Sequence, residues 1–382
     1  MKMFVLLLTV SLLAVSFVPA QTPSDSSAVA DSLLALELQA QMQTPAPPVS
    51  SGSVVRSAPS TNPDISAIGD FRTSYSTEGP RKVETYFNGL EVQLSSIVDP
   101  YAEANFLFSF GKDSVNGDFG AGLEVATLTT LSLPYSLQAT IGKFKPHFTK
   151  VNSLHPHAFS FVDFPTMTKN FFGDEGLFME GISASVLVPN PWDFYQELDV
   201  EIGRPESTPA LDNGASSKLL YSAHLNNFFE LSDNSTLGVG LSGLTGVNAL
   251  DLNTVMAGID LTYKWKPVRF NTYNSFTWQT EALLCRSDSA AGNAVQSYGA
   301  YTMFEYQIEK RTYVGARFDY SGLPMIERSD ERTASLLLRF QPTEFQVLAL
   351  EFQHVNRNYA PGFQQVVFRA IFGIGTHAAH AY

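Results

Sequence analysis

The 382-residue chain is 44% hydrophobic but only 16% charged, with 29 Phe, 15 Tyr and a formal net charge of −13. Soluble domains carry roughly 25% charge, so this composition suits a surface that meets lipid, and the acidic balance excludes a nucleic-acid partner, which needs a basic footprint. The single cysteine, Cys285, excludes an internal disulfide and a lipid-bearing cysteine near the N-terminus.

The first twenty residues, "MKMFVLLLTVSLLAVSFVPA", predict a signal peptide. Lys2 supplies the positive start, Met3 to Val18 the apolar stretch, and "VPA" the small-residue cleavage site before Gln21. Residues 21–62 form a leader. In it "VADSLLALELQAQMQ" places Val29, Leu33, Leu36 and Ala40 on one face of a short helix, and "TPAPPVSSGSVVRSAPSTNP" is a flexible linker. No later run of 18 or more apolar residues predicts a transmembrane helix.

From Asp64 onward the period is two, the signature of strands whose side chains point alternately to opposite faces. "VMAGIDLTYKW" puts Val255, Ala257, Ile259, Leu261, Tyr263 and Trp265 on one face, with Asp260 and Lys264 on the other. "YQIEKRTYVGARFDY" alternates in the same way on both sides of a tight "EKR" connection. Sixteen strands are predicted: 64–76, 84–98, 101–111, 119–132, 135–145, 177–189, 195–204, 219–232, 235–247, 252–266, 271–286, 297–309, 311–321, 332–341, 345–357 and 362–375.

Alternation alone fits two architectures. A soluble sandwich turns its apolar face inward, whereas a membrane barrel turns it to lipid and lines its lumen with the polar face. The connections decide between them. Short ones ("DP" at 99–100, "LP" at 133–134, "DN" at 233–234, "PTE" at 342–344) alternate with long ones such as 77–83, 205–218 and 322–331, although 248–251 and 358–361 are short members of the long set. Outer-membrane barrels have short turns at one rim, long loops at the other and an even strand count. Aromatic residues flank the short turns (Tyr101, Tyr135, Trp192, Tyr195, Phe228, Tyr306, Phe340, Phe345), where an interfacial girdle belongs. The predicted fold is therefore all-β: a single transmembrane antiparallel barrel over 63–382 with about sixteen strands. The longest connection, 146–176, is too long and too aromatic for a solvated loop and is expected to fold into the lumen.

Several segments carry a family likeness: "NPDISAIGDF" at the first strand, "IGKFKPHFTKVNSLHPHAFSFVDFP" leading into the long loop, "GDEGL" opening the sixth strand, and the closing "GIGTHAAHAY". Over roughly residues 62–382 the chain resembles the Gram-negative outer-membrane porins, and more closely a porin-like group related to the phosphate-selective porins. Some relatives of this kind are named zinc-regulated or TonB-dependent receptors. The leader is too short for the plug domain that a TonB-dependent transporter requires. The resemblance implies an outer-membrane location, contact with lipid and lipopolysaccharide, a homotrimer, and a terminal aromatic, Tyr382, read by the barrel-assembly machinery. Ala378 and His380 depart from the pattern, standing where strongly apolar residues are expected.

No catalytic site and no cofactor are predicted. "GVGLSG" matches a dinucleotide-binding glycine pattern, but strand alternation, not a helix, follows it. No G-x-S-x-G elbow supports a hydrolase. "LHPH" offers His155 and His157, with Asp163 and His147 nearby, as weak metal candidates at a spacing that matches no established site. Pore and constriction candidates are Lys150, His155, His157, Asp163, Lys169, Asp174 and Glu175 in the long loop, and Asp260, Arg317, Asp319, Arg339 and Arg369 on the wall. The acidic excess of the wall predicts mild cation preference. The expected function is passive diffusion of small polar or ionic solutes. A plugged barrel serving as a receptor or surface-binding protein is the alternative, and an outer-membrane hydrolase is less favoured.

Overall fold

The sequence alternates apolar and polar residues with few interruptions, and each alternating segment forms one strand. The computed structural model describes residues 63–80, 82–112, 119–192, 194–212, 218–270 and 272–375. The predicted signal peptide, the leader, and the terminal stretch with His377, Ala378, His380 and Tyr382 lie outside these residues.

The strands are β1 (Asp64–Ser76), β2 (Val83–Asp99), β3 (Ala102–Lys112), β4 (Phe119–Thr130), β5 (Leu137–Phe144), β6 (Met179–Leu187), β7 (Tyr195–Pro205) and β8 (Leu220–Ser232). They continue with β9 (Ser235–Val247), β10 (Asn253–Trp265), β11 (Ser275–Asp288), β12 (Ala294–Glu309), β13 (Thr312–Leu323), β14 (Ile326–Thr343), β15 (Gln346–Arg357) and β16 (Phe363–Gly375). Every strand pairs antiparallel with its sequence neighbours, and β1 pairs with β16 from Ser66↔Gly375 to Ser76↔Gln365, closing the barrel. Closure removes the unpaired edges that an open sheet exposes, a requirement in lipid, where no water can satisfy them.

The alternation gives an outer apolar face and an inner polar one. On β15, Leu348, Leu350 and Phe352 are exposed, whereas Ala349, Glu351 and Gln353, which alternate with them, are buried inside. On β13, Val314, Phe318 and Tyr320 face outward, and Arg317 and Asp319 face inward. At the short-turn rim Tyr101, Tyr135, Trp192, Phe270, Tyr273 and Phe345 are exposed. Trp192 stacks on Phe194, which leans on Phe229 with ring centroids 4.8 Å apart.

Three expectations differ in detail. The predicted loop 322–331 is mostly strand: β13 and β14 run on to a turn at Pro324–Met325. The stretch "IERSDER" is polar on both faces, so it shows no alternation to read. The connection after β10 is longer than the predicted limits 252–266 and 271–286 allow, because a 3-10 turn at Val268–Phe270 precedes β11. Finally β5 is only eight residues long and pairs with β4 over just Ala126–Thr129, leaving the thinnest seam in the wall.

Candidate functional site

The connection between β5 and β6 folds into the lumen. It contains a 3-10 turn at Val151–Ser153 and one helix, α1 (Thr166–Phe172). Pro165 precedes α1 and Gly173, at φ 91°, ends it. That proline-before, glycine-after signature was available in the sequence. Asn152 staples the two ends of the loop: its amide donates to Pro146 O (2.9 Å) and Leu177 O (3.2 Å) and accepts from Leu177 N (2.7 Å).

The inner wall holds the loop by its peptide groups. His147 N donates to both oxygens of Glu201 on β7 (3.0 and 3.1 Å), and Thr149 N donates to Ser242 Oγ on β9 (3.0 Å). Val151 N donates to Glu281 on β11 (2.9 Å), Val162 N to Glu351 on β15 (2.7 Å), and Thr166 N to Asp319 on β13 (3.0 Å). A hydrogen bond to a charged group contributes about 1.5–3 kcal/mol net, so these carboxylates act as anchors. They are buried beneath the loop, so this part of the wall's acidic excess does not face open lumen. The loop's apolar residues fill the space between the anchors: Phe148, Phe161, Phe164, Met167 and Phe171 pack with Leu244, Met256, Leu283, Met303 and Leu337 of the wall.

Arg317 is the latch. It is fully buried (0% exposed), not wetted by the lumen as expected from its parity. Its guanidinium donates to Asp319 Oδ2 (2.9 Å), Asp163 Oδ1 (2.9 Å) and Asp163 O (2.8 Å), lies 3.8 Å from Glu351, and covers the Phe161 ring at 4.8 Å. Lys169 also binds Asp163. Burial alone would raise the Asp163 carboxyl, but Lys169 and Arg317 outweigh it and hold the group well below the usual range.

The loop fills the β7–β15 side and leaves the opposite side open. A cavity of about 890 Å³ remains against β1–β4 and β16. Its charged lining is Asp70, Arg72, Glu84, Glu91, Glu124, Asp163, Lys169, Asp174, Glu175 and Arg369, together with His157. That is seven carboxylates against three permanent cations. Arg369 and Arg72 both turn onto Asp70 (3.0 and 2.8 Å), and Arg369 also donates to Pro156 O at 3.2 Å. Burial, with repulsion from Glu124 and Glu91, pushes the Glu175 carboxyl up to about 7, opposed by Lys145. Burial pulls the Lys145 ammonium down to about 8, against the pull of Glu175, Glu124 and Glu91.

The predicted site residues therefore separate. Asp163, Lys169, Asp174, Glu175, His157 and Arg369 line the cavity. His155 lies beside it, 3.5 Å from Glu124. Asp319 belongs to the latch with Arg317. Lys150 sits across the loop near Asp260 and Glu281, with its ammonium lowered by burial. Arg339 pairs with Glu305 at 2.7 Å, over the ring of Tyr313. Asp163 is not the histidines' companion. Asp70, Arg72, Glu91, Glu124 and Glu351 are further contributors. All but Glu124 follow from lumen parity; Glu124 lies at a bulge, where Leu107↔Val125 is followed by Phe108↔Leu123.

No protein-family model matches the chain. An uncharacterized protein of Aquifex aeolicus (strain VF5) is 26% identical over 338 residues, 77% of this chain and 69% of that one. Among solved structures, the anion-selective porin of Comamonas acidovorans matches 82% of this chain and 99% of its own, with a TM-score of 0.56 and 13% identity. The outer-membrane channel DcaP of Acinetobacter baumannii matches 82% of this chain and 98% of its own, with a TM-score of 0.57 and 11% identity. A loop-deletion form of OmpT, an outer-membrane protein of Vibrio cholerae, matches 82% and 99%, with a TM-score of 0.55 and 9% identity. At such identities the likeness is one of fold: this chain shares the porin-like sixteen-stranded barrel.

Proposed function

We propose that the protein is an outer-membrane porin that passes small polar or ionic solutes by diffusion, without catalysis. The observation that carries this is the cavity of about 890 Å³ left between the inward loop and the β1–β4 wall, lined by charged groups. A channel needs a wet, charged passage narrow enough to select, and the loop's anchoring to the far wall provides the narrowing. Seven carboxylates against three cations favour mild cation preference, and two of those cations are spent on Asp70. That lining argues against phosphate as cargo, despite the resemblance to phosphate-selective porins.

The exposed apolar belt fits contact with lipid and lipopolysaccharide in a Gram-negative outer membrane, reached by signal-peptide export and inserted by the barrel-assembly machinery. A homotrimer is supported by the outer groove at the β4–β5 seam, where Leu123, Ile141 and Ile182 stand exposed around Gly142 and Gly181. A second reading, a plugged barrel acting as receptor, is favoured by the aromatic core that fills the β7–β15 side of the lumen. Liposome swelling separates the two. Refolded protein should admit small sugars and amino acids into vesicles, whereas vesicles that stay impermeable support the plugged barrel.

A further inference from the structure

Where the loop crosses to the open side of the barrel, His155 comes between β2 and β4. Its Nδ1 lies 4.0 Å from Glu91 Oε2 and 3.5 Å from Glu124 Oε2. The three atoms lie within 4.8 Å of one another. Each is buried and makes no well-formed hydrogen bond, although Glu91 Oε2 also lies 3.0 Å from His157 Nδ1. Buried carboxylate oxygens and imidazole nitrogens are ordinarily satisfied, and each orphan calls for a cause. Here Glu124 Oε2 and His155 Nδ1 converge on one point with a Glu91 oxygen whose other neighbour is His157.

A proton does not explain the geometry. A charge-assisted hydrogen bond from an imidazolium would draw one carboxylate to about 2.8 Å, and neither is that close. A shared ion accounts for the 3.5 Å approach and, with a small side-chain closure, for the 4.0 Å one. Two ligands each about 2.1 Å from one tetrahedral cation stand roughly 3.4 Å apart. Two carboxylates and a neutral imidazole also leave two negative charges, which a divalent cation balances.

We propose that Glu91, Glu124 and His155 form a divalent first-row transition-metal site in the lumen wall, with the fourth coordination position open to the cavity. His157 is a positioning residue. Its Nδ1 lies 3.0 Å from Glu91, and its ring stacks on that of His155 with centroids 5.8 Å apart. Such outer partners orient ligating carboxylates. The bulge at Glu124 aims that carboxylate inward. The Lys145 ammonium, the nearby competitor for both carboxylates, is held by Leu154 O at 2.9 Å and by the carbonyl of Glu175. An ion at this site ties the loop to β2 and β4, on the side that the peptide anchors leave free.

The inference stands whether or not the barrel conducts, because binding is read without a pore. Tag-free protein, refolded in detergent and checked by its heat-modified gel mobility, is titrated calorimetrically with Zn²⁺. One saturable equivalent per chain is expected. His155→Ala and Glu124→Gln should each weaken it at least tenfold, and His354→Ala, on an exposed strand end, should leave it unchanged. On the unaltered protein, Zn²⁺ should protect His155 from diethylpyrocarbonate, which tests the site even if a variant misfolds. Absence of a saturable equivalent, equal binding by the two ligand variants, or unprotected His155 would each overturn the assignment.

Discussion

Replacing Arg317 by Ala should release the inward loop while leaving the barrel wall closed. The guanidinium sits among Asp163, Asp319 and Glu351 and is itself fully buried. Its loss leaves Asp319 and Glu351 without their cation, and Asp163 with Lys169 alone. Removing one partner of a buried charge cluster costs about 3–5 kcal/mol. The wall's hydrogen-bond ladders do not involve this side chain, so the cost falls on loop docking. At about 1.4 kcal/mol per factor of ten, the docking equilibrium shifts by between two and four powers of ten. Thr166 N and Val162 N lose well-ordered acceptors as Asp319 and Glu351 repel each other, which adds to the shift. The assay is single-channel recording paired with limited proteolysis of the refolded protein. Wild type should show a steady level and a protease-resistant loop. Arg317→Ala should show larger or flickering steps and cleavage within 146–176, and Arg317→Lys should fall between. Unchanged conductance together with an uncut loop would refute the latch.

Gly299 on β12 touches α1 closely: a Cβ there would lie 2.6 Å from Met167 Cβ. Gly299→Val should therefore loosen the helix by about 1–3 kcal/mol and reproduce a weaker form of the same proteolysis pattern. On the outer face, Ile259→Arg or Phe318→Arg should destabilise the barrel by about 2–4 kcal/mol near the bilayer midplane, read as a lower urea midpoint in lipid vesicles; equal damage from Asp260→Ser would contradict the assigned faces. Glu175 (about 7) gains negative charge and Lys145 (about 8) loses positive charge as pH rises. Reversal potentials under a salt gradient should therefore become more cation-selective from pH 6 to 9, and Glu175→Gln should remove the lower part of that change. Burial lowers the His147 imidazole, but the Glu201 hydrogen bond and neighbouring carboxylates outweigh it and raise the group to about 9. Its contribution to docking is present in full below about 6.5 and is lost as pH passes 9, so proteolysis of the loop should accelerate there.

The wall was legible in the sequence because its physics is local. A period of two, a lipid face and a closed sheet leave little freedom, and β9 matches its predicted limits, Ser235 to Val247. The latch was not legible. Parity places Arg317 and Asp319 on the inner face, but no local pattern says that Asp163, more than 150 residues earlier, will cover them. Part of the wall's acidic excess is engaged for the same reason: Glu201, Glu281 and Glu351 face inward as parity demands, yet they accept peptide N–H groups of the loop. Acidic lining persists on other residues, Glu91 and Glu124 among them. Glu124 escaped because a bulge breaks the alternation beside it. The helix α1 was legible from Pro165 and Gly173 but was masked by its place inside a long aromatic connection.

The central claim is that solutes pass between the loop and the β1–β4 wall. It is tested most directly by cysteine accessibility during single-channel recording, in a Cys285→Ser background. Asn88→Cys stands on the open side, and Ser335→Cys lies on the wall beneath the loop. A bulky cationic methanethiosulfonate should lower the step conductance of Asn88→Cys and leave Ser335→Cys unaffected. A parent barrel without step conductance, or block at Ser335 and not at Asn88, would contradict the account.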